Sequence, residues 1–561
     1  MVENYEDFFK QRNETPRKSQ VQTLKFLEQE LEENDKTFAV VDAPTGCGKS
    51  HVALAIGNEN RIFILSSTKQ LQNQYLKLAP DSVLVKGKAN YPCGLNGHLN
   101  CENGFCSTNP KVKKFCLKRG ICPYYAQVEK AFESQIVVAN YDFFIYATHC
   151  GCFAPQNFKS EDLWYAKVHR DVIVCDEAHV LEDKIVSFAE ITLDVDAVGR
   201  EFDISFSPEI QFVYEGMYQD KNLVSLKSAA TSMAERCKYY KSIVDSILSK
   251  YSEDIENTGE MPKMDQEDEH KVASVHKKLY DLDKLVQKLK VFFDNFRKNR
   301  WVYNVESPRR IYLAPLRVSG LFSTYFRGFA SKFILMSATI GDSAEFVSEL
   351  GLEEDQTSCI EVESDFDPAA SPIVYIPVGK MSMANIEQTL PKVAAAVDSI
   401  LKTHKKEKGI IHSVTYRIAD YIYRNTTESS KKRMLYSRAE VWRKSNHDVY
   451  LDHCSTDEPT VLLSPSMHEG ISLDGDLSRF QIIAKLPFLS LDNFRTSVKA
   501  RISGKWYLHK MAVNLMQASG RSTRSKDDYS ITYVLDQSFK YFFRRMEYDV
   551  PDWFALRVQM K

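Results

Sequence analysis

Nine short and nearly unbroken apolar runs punctuate the chain: TFAVVD (37–42), RIFILS (61–66), QIVVAN (135–140), DVIVCD (171–176), KFILMS (332–337), GIIHS (409–413), TVLLS (460–464), FQIIAK (480–485) and ITYVLD (531–536). Each lacks the apolar–polar alternation of a half-exposed strand. Such runs predict strands buried on both faces, as in parallel sheets covered by helices. They fall into two sets, before 345 and after 370, separated by helical patterns. The expectation is two α/β domains.

Two stretches interrupt this pattern. Residues 86–122 are rich in Cys, Gly, Asn and Lys and have no period. Residues 186–304 carry few strand signals. Within them Val272, Val275, Leu279, Leu282, Val286, Leu289, Phe293 and Phe296 follow 3-4 spacing, which predicts a helix with one apolar seam packed on its own domain. The segment 252–270 holds eight acids and one lysine and predicts a solvated loop.

Composition narrows the class. The 561 residues are 43% apolar and 26% charged, an ordinary globular mix. Domains of about 100–200 residues would give three to five folding units. The net charge of −2 excludes a basic coat over the whole surface, so any nucleic-acid surface must be local. No apolar run reaches the ~18 residues of a membrane span, and the N-terminal MVENYEDFFK lacks the apolar core of a signal peptide. A soluble, intracellular protein is expected. Its 12 cysteines should then be reduced thiols, and a cluster of them points to metal before disulfides.

The first motif follows the first run. Ala43-Pro44-Thr45-Gly46-Cys47-Gly48-Lys49-Ser50 joins a strand to a helical stretch and fits a phosphate loop. Backbone N–H groups there can curl around phosphate oxygens at a helix N-terminus. Lys49 is expected to reach the β- and γ-phosphates of ATP, and Ser50 to ligate Mg²⁺. The run DVIVC then delivers Asp176-Glu177-Ala178-His179. Asp176 is expected to hold Mg²⁺ and Glu177 to orient and deprotonate the attacking water. Late in the second set, Gln517-Ala518-Ser519-Gly520-Arg521-Ser522-Thr523-Arg524 places two arginines on one helix face. Facing ATP, Arg521 and Arg524 would stabilise charge on the transferred phosphoryl group.

Together these motifs resemble a superfamily 2 helicase, and in detail the iron–sulfur XPD/DinG family of DNA helicases with a DEAH box. The resemblance covers nearly the whole chain. Arg17 and Gln20 sit where that family reads adenine. Ser67-Thr68-Lys69 with Leu71 and Gln74 resembles the motif that contacts the DNA backbone. Ser337-Ala338-Thr339 resembles the motif linking ATP state to DNA grip, SPSMHEGISLD (464–474) the one containing Glu469 and Gly470, and Gln517, Gly520, Arg521 and Arg524 the last motif. Ser522-Thr523 replaces a bulkier pair, and no exonuclease domain is expected in the short stretch before Gln20.

The resemblance implies two RecA-like parallel-sheet motor domains, 1–345 and 346–561. The first would carry a Cys-rich iron–sulfur domain at 86–130 and a helical arch-like domain at 186–304. It implies catalytic roles for Lys49, Asp176, Glu177, Gln517, Arg521 and Arg524. ATP would lie on Gln20 and residues Ala43 to Ser50, with Mg²⁺ on Ser50 and Asp176.

Five thiols lie between the motifs: Cys93, Cys101, Cys106, Cys116 and Cys122. Four thiolates suit zinc or a [4Fe–4S] cluster equally by spacing alone. The resemblance of NYPC (90–93) and CPYY (122–125) to family ligand contexts favours the cluster, on Cys93, Cys106, Cys116 and Cys122 with Cys101 spare. The same loop holds seven Lys or Arg and one acid, Glu102, from Lys86 to Cys122, which suits a DNA guide. Tyr91, Tyr124 and Tyr125 could stack on bases or fill a core.

The expected function is an ATP-dependent helicase that moves on single-stranded DNA, 5′→3′ by resemblance. It would unwind duplex or forked DNA in replication, repair or recombination, as a monomer with replication or repair proteins as partners. Alternatives are an RNA or nucleoprotein remodelling translocase, and a DNA-binding scaffold with a vestigial ATPase.

Overall fold

The computed structural model describes residues 5–95, 97, 99–104, 106, 110–214, 219–251, 264–296, 301–438, 445–465, 473, 475–520, 528–546 and 550–560. All nine apolar runs form strands. The first sheet holds β1 (Phe38–Asp42), β2 (Ile62–Ser66), β3 (Val83–Leu84), β4 (Ile136–Asn140), β5 (Arg170–Asp176), β9 (Ala330–Ser337) and β10 (Thr357–Glu361). Its order is β10-β1-β9-β5-β2-β4-β3, and every pairing is parallel. The second sheet holds β11 (Ile373–Gly379), β12 (Gly409–His412), β13 (Met434–Leu435), β14 (Val461–Ser464), β15 (Phe480–Ile483), β16 (Ile531–Asp536) and β17 (Val558–Met560). It is also parallel throughout, in the order β13-β14-β12-β15-β16-β11-β17.

The apolar runs are continuous because each strand feeds two cores. Phe38 and Val40 of β1 join one apolar cluster, while Ala39 and Val41 join another across the sheet. Burial of both faces removes the need for alternating polar residues.

The helices that bear on the site are α1 (Lys18–Leu27), α2 (Lys49–Gly57), α3 (Lys69–Leu78), α4 (Leu181–Ala189), α5 (Gln219–Ser249), α6 (Gln266–Asn295), α7 (Phe494–Ile502) and α8 (Gly504–Ser519). The 3-4 seam of 272–296 lies in α6, which pairs with α5 as a long hairpin. Val272, Leu282, Leu289 and Phe292 are buried in the first lobe's core. The acidic segment is only partly a loop, because α6 starts at Gln266. Asp265 caps it by accepting from Asp268 N at 2.7 Å, and Glu267, Asp268 and Glu269 occupy its first turn, where negative charge is favoured. The remainder, 252–263, lies outside the described residues.

Two features had no strong pattern in the sequence. An antiparallel sheet of β6 (Ile191–Asp194), β8 (Arg310–Pro315) and β7 (Trp301–Ser307) closes the base of the α5–α6 hairpin. The first sheet also runs past 345. β10 pairs with β1 from Phe38↔Thr357 to Asp42↔Glu361, so the passage between sheets falls at 362–372. As an edge strand β10 is half-exposed, and its TSCIE sequence lacks an apolar run.

Candidate functional site

Three neighbouring strands end side by side. In register, Asp42 of β1 stands beside Ser337 of β9, and Asp176 of β5 beside Met336. The phosphate loop, the DEAH turn and the Ser337-Ala338-Thr339 turn therefore leave the same carboxyl edge, where open α/β sheets bind ligands.

The phosphate loop demands glycine twice. Gly46 and Gly48 hold φ of 79° and 91°, which is costly for any other residue. A Cβ on Gly48 would also collide with Gln20 Nε2. Gln20 engages both ends of its amide. Its Oε1 accepts from Arg17 N at 2.8 Å, and its Nε2 donates to Gly48 O at 3.3 Å. The Arg17 guanidinium donates to Gly46 O. This pair braces the loop from below. Lys49 Nζ donates to Ala43 O at 3.0 Å and Pro44 O at 3.2 Å, so its charge lies over the loop. Ala43 and Cys47 are buried.

Ser50 and Asp176 are held by adjacent residues of α3. Gln74 Nε2 donates to Ser50 Oγ at 3.2 Å, and the Tyr75 hydroxyl donates to Asp176 Oδ2 at 2.8 Å. Tyr141 OH donates to the Asp176 carbonyl at 2.8 Å. Burial, with the Glu177 charge second, pushes the Asp176 carboxyl up to about 6, against the pull of Lys49 and Tyr75. A cation bound there would reverse that shift. Glu177 holds a left-handed φ of 57°, a backbone strain of the kind found at working sites. Leu71 and Gln74 of the motif expected against DNA also line this cleft. Tyr75 is fully buried where it holds Asp176. The cleft has a volume of about 490 Å³ and runs from Glu14, Arg17 and Gln20, over Gly48, Lys49 and Ser50, to Asp176 and Glu177.

The second lobe reaches this corner through α8. Gln517 Nε2 donates to Thr339 Oγ1 at 2.8 Å. Thr339 N donates to Ser337 Oγ at 3.1 Å, and Ser337 Oγ donates to Glu177 Oε2 at 3.4 Å. His179 Nδ1 lies 2.8 Å from the same Ser337 hydroxyl. One polar chain thus joins Gln517 to Glu177. Just beyond, a Cβ on Gly520 would meet Thr45 Cγ2 at 3.5 Å, so the end of α8 rests on the phosphate loop. Arg521, Arg524, Glu469 and Gly470 lie outside the described residues.

The five thiols of the Cys-rich insert are all 2–7% exposed. Cys93 and Cys101 lie on a short paired segment bridged by Pro92 and Asn100, Cys116 on the helix Pro110–Arg119, and Cys122 at the start of the helix Pro123–Glu133. Cys101 Sγ is 3.8 Å from Cys122 Sγ. A Cβ on Gly104 would stand 3.2 Å from Cys93 Sγ and 3.8 Å from Cys106 Sγ. Hydrogen bonds from the Cys101 and Cys106 thiols hold Cys122 far below the ordinary thiol value; Cys122 in turn raises Cys101, and Cys116 and then Cys122 raise Cys106. Among the described residues, no three His, Cys, Asp or Glu side chains are arranged around a single metal ion. Tyr124 is 2% exposed and packs edge-on against Tyr91 and Tyr125, so it fills a core and is unavailable to a base. Lys88 and Lys113 lie 5.9 and 5.4 Å from the Tyr125 ring. Tyr280 of α6 donates to Glu102, which joins the hairpin to this insert. No helix among the described residues is long and apolar enough to cross a membrane.

Comparison with known proteins agrees with this arrangement. Residues 13–207 match the model of the type III restriction enzyme res subunit, and 399–556 match the helicase C-terminal domain. The chain is 21% identical to the ATP-dependent DNA helicase YoaA of Haemophilus influenzae, over 90% of this chain and 88% of that one. It is equally similar to YoaA of Escherichia coli, over 93% and 91%. A solved XPD helicase superposes with a TM-score of 0.60 at 16% identity, covering 95% of this chain and 98% of that one. Xpd4 of S. tokodaii gives 0.55 at 14% identity, over 97% and 100%. Those structures share the fold, with its two RecA-like sheets. Taken with the motifs converging on one corner, the helicase C-terminal model on the second lobe and the res-subunit model on the first, the chain is similar over nearly its whole length to DNA helicases of the YoaA and XPD kind.

Proposed function

We propose that this protein is an ATP-dependent DNA helicase that moves 5′→3′ along single-stranded DNA and opens duplexes or forks. The observation that carries the reading is the seat of α8, which places Gln517 on Thr339 and Gly520 against Thr45. The two lobes would therefore share one nucleotide cleft. Lys49 would swing from its loop carbonyls to the β- and γ-phosphates, while Ser50 and Asp176 would hold Mg²⁺. Glu177 would take the proton of the attacking water, with His179 and Ser337 fixing its carboxylate. Arg521 and Arg524 follow Gln517 by four and seven residues, and would meet the developing phosphoryl charge. Loss of the γ-phosphate would free both lobes' contacts at once, and the cleft would open. Alternating grip on the strand turns that cycle into stepping.

The Cys-rich insert would hold a [4Fe–4S] cluster on Cys93, Cys106, Cys116 and Cys122, with Cys101 as the fifth thiol beside Cys122. The all-thiol donor set fits such a group, which takes each thiolate at a separate iron. When bound it would supply covalent cross-links that stiffen the insert. Iron and sulfide should be present in anaerobically purified protein; zinc alone would overturn this assignment.

The central test is Lys49→Ala. ATP hydrolysis stimulated by single-stranded DNA should fall at least ~100-fold, in line with removal of a phosphate-clamping charge. DNA affinity measured without nucleotide should change less than threefold. Unwinding by the variant at the wild-type rate would overturn the proposal. Wild-type ATPase without fork unwinding would favour a remodelling translocase instead.

A further inference from the structure

A second contact between the lobes lies one helix turn beyond the DEAH residues, away from the nucleotide cleft. Glu182 of α4 is 6% exposed. Its Oε1 accepts from Arg495 Nη2 at 2.6 Å and Lys499 Nζ at 2.7 Å. Its Oε2 accepts from Trp506 Nε1 at 3.1 Å and pairs with Lys510 Nζ at 2.9 Å. Lys510 also pairs with Asp183 at 3.1 Å and Lys499 with Glu349 at 2.6 Å, while Lys505 pairs with Asp342. The signs are sorted by lobe. All four acids belong to the first lobe, and all four cations to α7, α8 and the start of α8 in the second. Burying so many charges is costly unless the geometry is close to ideal, and a hydrophobic seam would hold two lobes as well. The arrangement therefore selects one relative position rather than maximal adhesion.

That position is tied to the hydrolytic residues from both sides. Glu182 follows Glu177 by five residues through a single short turn. Asp342 follows Thr339 by three and caps the next helix by accepting from Glu345 N at 3.1 Å. Lys510 and Gln517 lie two turns apart on α8, so fixing one fixes the other. We propose that Glu182 is a positioning residue for ATP hydrolysis: it sets the rotation of α8 against the DEAH segment, and thereby the register of Gln517 with Thr339. Glu182 touches no reacting atom. It acts through α8, which ends at Ser519, two positions before Arg521 in the sequence.

The proposal rests on the helicase reading, and its test separates the two. ATP hydrolysis is measured with saturating single-stranded DNA for wild-type protein, Glu182→Gln, Lys510→Met and the double variant. Glu182→Gln should lower kcat about 10- to 100-fold, as misplacement by about an ångström does, with KM for ATP changed less than threefold. Lys510→Met alone should lower kcat in the same way. The double variant removes one charge of each sign and should recover at least threefold over Glu182→Gln. A merely structural role would move the folded fraction, read by the urea midpoint of each variant, and would leave kcat per folded molecule at the wild-type value in all of them. Wild-type kcat in either single variant, or a double variant no better than Glu182→Gln, overturns the positioning role. Absence of hydrolysis in the wild-type protein overturns the helicase reading instead.

Discussion

Two carboxylates are buried where the lobes and motifs meet, and their surroundings push them in opposite directions. Burial alone would raise Glu182, but Lys510, Lys499 and Arg495 outweigh it and hold the group well below the ordinary carboxylate value. Asp42, at the end of β1 beside the phosphate loop, is just as deeply buried. Burial, opposed by the backbone N–H groups of Gly341 and Ile340 and by Lys49, leaves it at about 7. The first is a locked charge and the second a barely tolerated one. The difference shows how the interface is divided. The seam around Glu182 is dense, charged and fixed, whereas the nucleotide mouth carries neutral bonds such as Gln517 to Thr339. A cleft that must open and close each cycle needs weak contacts at its mouth and a firm pivot behind it.

Gln517→Ala is the sharpest way to break that contrast. It removes the neutral bond to Thr339 at the mouth and leaves the seam intact. Hydrolysis with DNA should fall about 10- to 100-fold, the loss typical of removing one oriented polar group from a reacting site. Stability in urea should move by no more than about 1 kcal/mol, the net worth of one such bond. A large loss of stability with unchanged hydrolysis would reverse the assignment of mouth and pivot. Glu182→Gln supplies the counterpart, because it leaves three cations facing a neutral amide and should lower both quantities.

The two regions also differ in how far the sequence announced them. The mouth is built from contiguous motifs. Ala43 to Ser50 and Asp176 to His179 each follow an apolar strand, so strand and chemistry are read together. The seam has no such signature. Glu182, Asp342, Glu349, Arg495, Lys499, Lys505 and Lys510 are scattered charges on four helices and their caps, and a charge on a helix reads as a solvated face. Only the pairing across lobes makes them a unit. Gln74 and Tyr75 were hidden for a related reason. They belong to a helix whose motif suggests another ligand, and their partners, Ser50 and Asp176, lie 24 and 101 residues away. The same logic hid β10, whose half-exposed edge position needs no apolar run.

Asp42 gives the smallest of the expected effects and the one most specific to the mouth. Its folded value of about 7 lies above the ordinary 3.8, so the folded state favours the proton. The stability it contributes is complete below the ordinary value and is lost as pH rises through about 7. The slope can reach about 1.4 kcal/mol per pH unit within that window. Glu182 has the opposite sign, since its contribution is present above the ordinary carboxylate value and lost as acid protonates it. Asp42→Asn keeps an oxygen to accept from Gly341 N and abolishes the ionisation. The variant should therefore lose less stability than the wild type between pH 5 and pH 8, with the acid limb set by the seam unchanged. Urea midpoints at a series of pH values measure both limbs. Parallel curves for the two proteins would mean that Asp42 ionises freely where it stands, and that the mouth is no less tolerant of charge than the pivot.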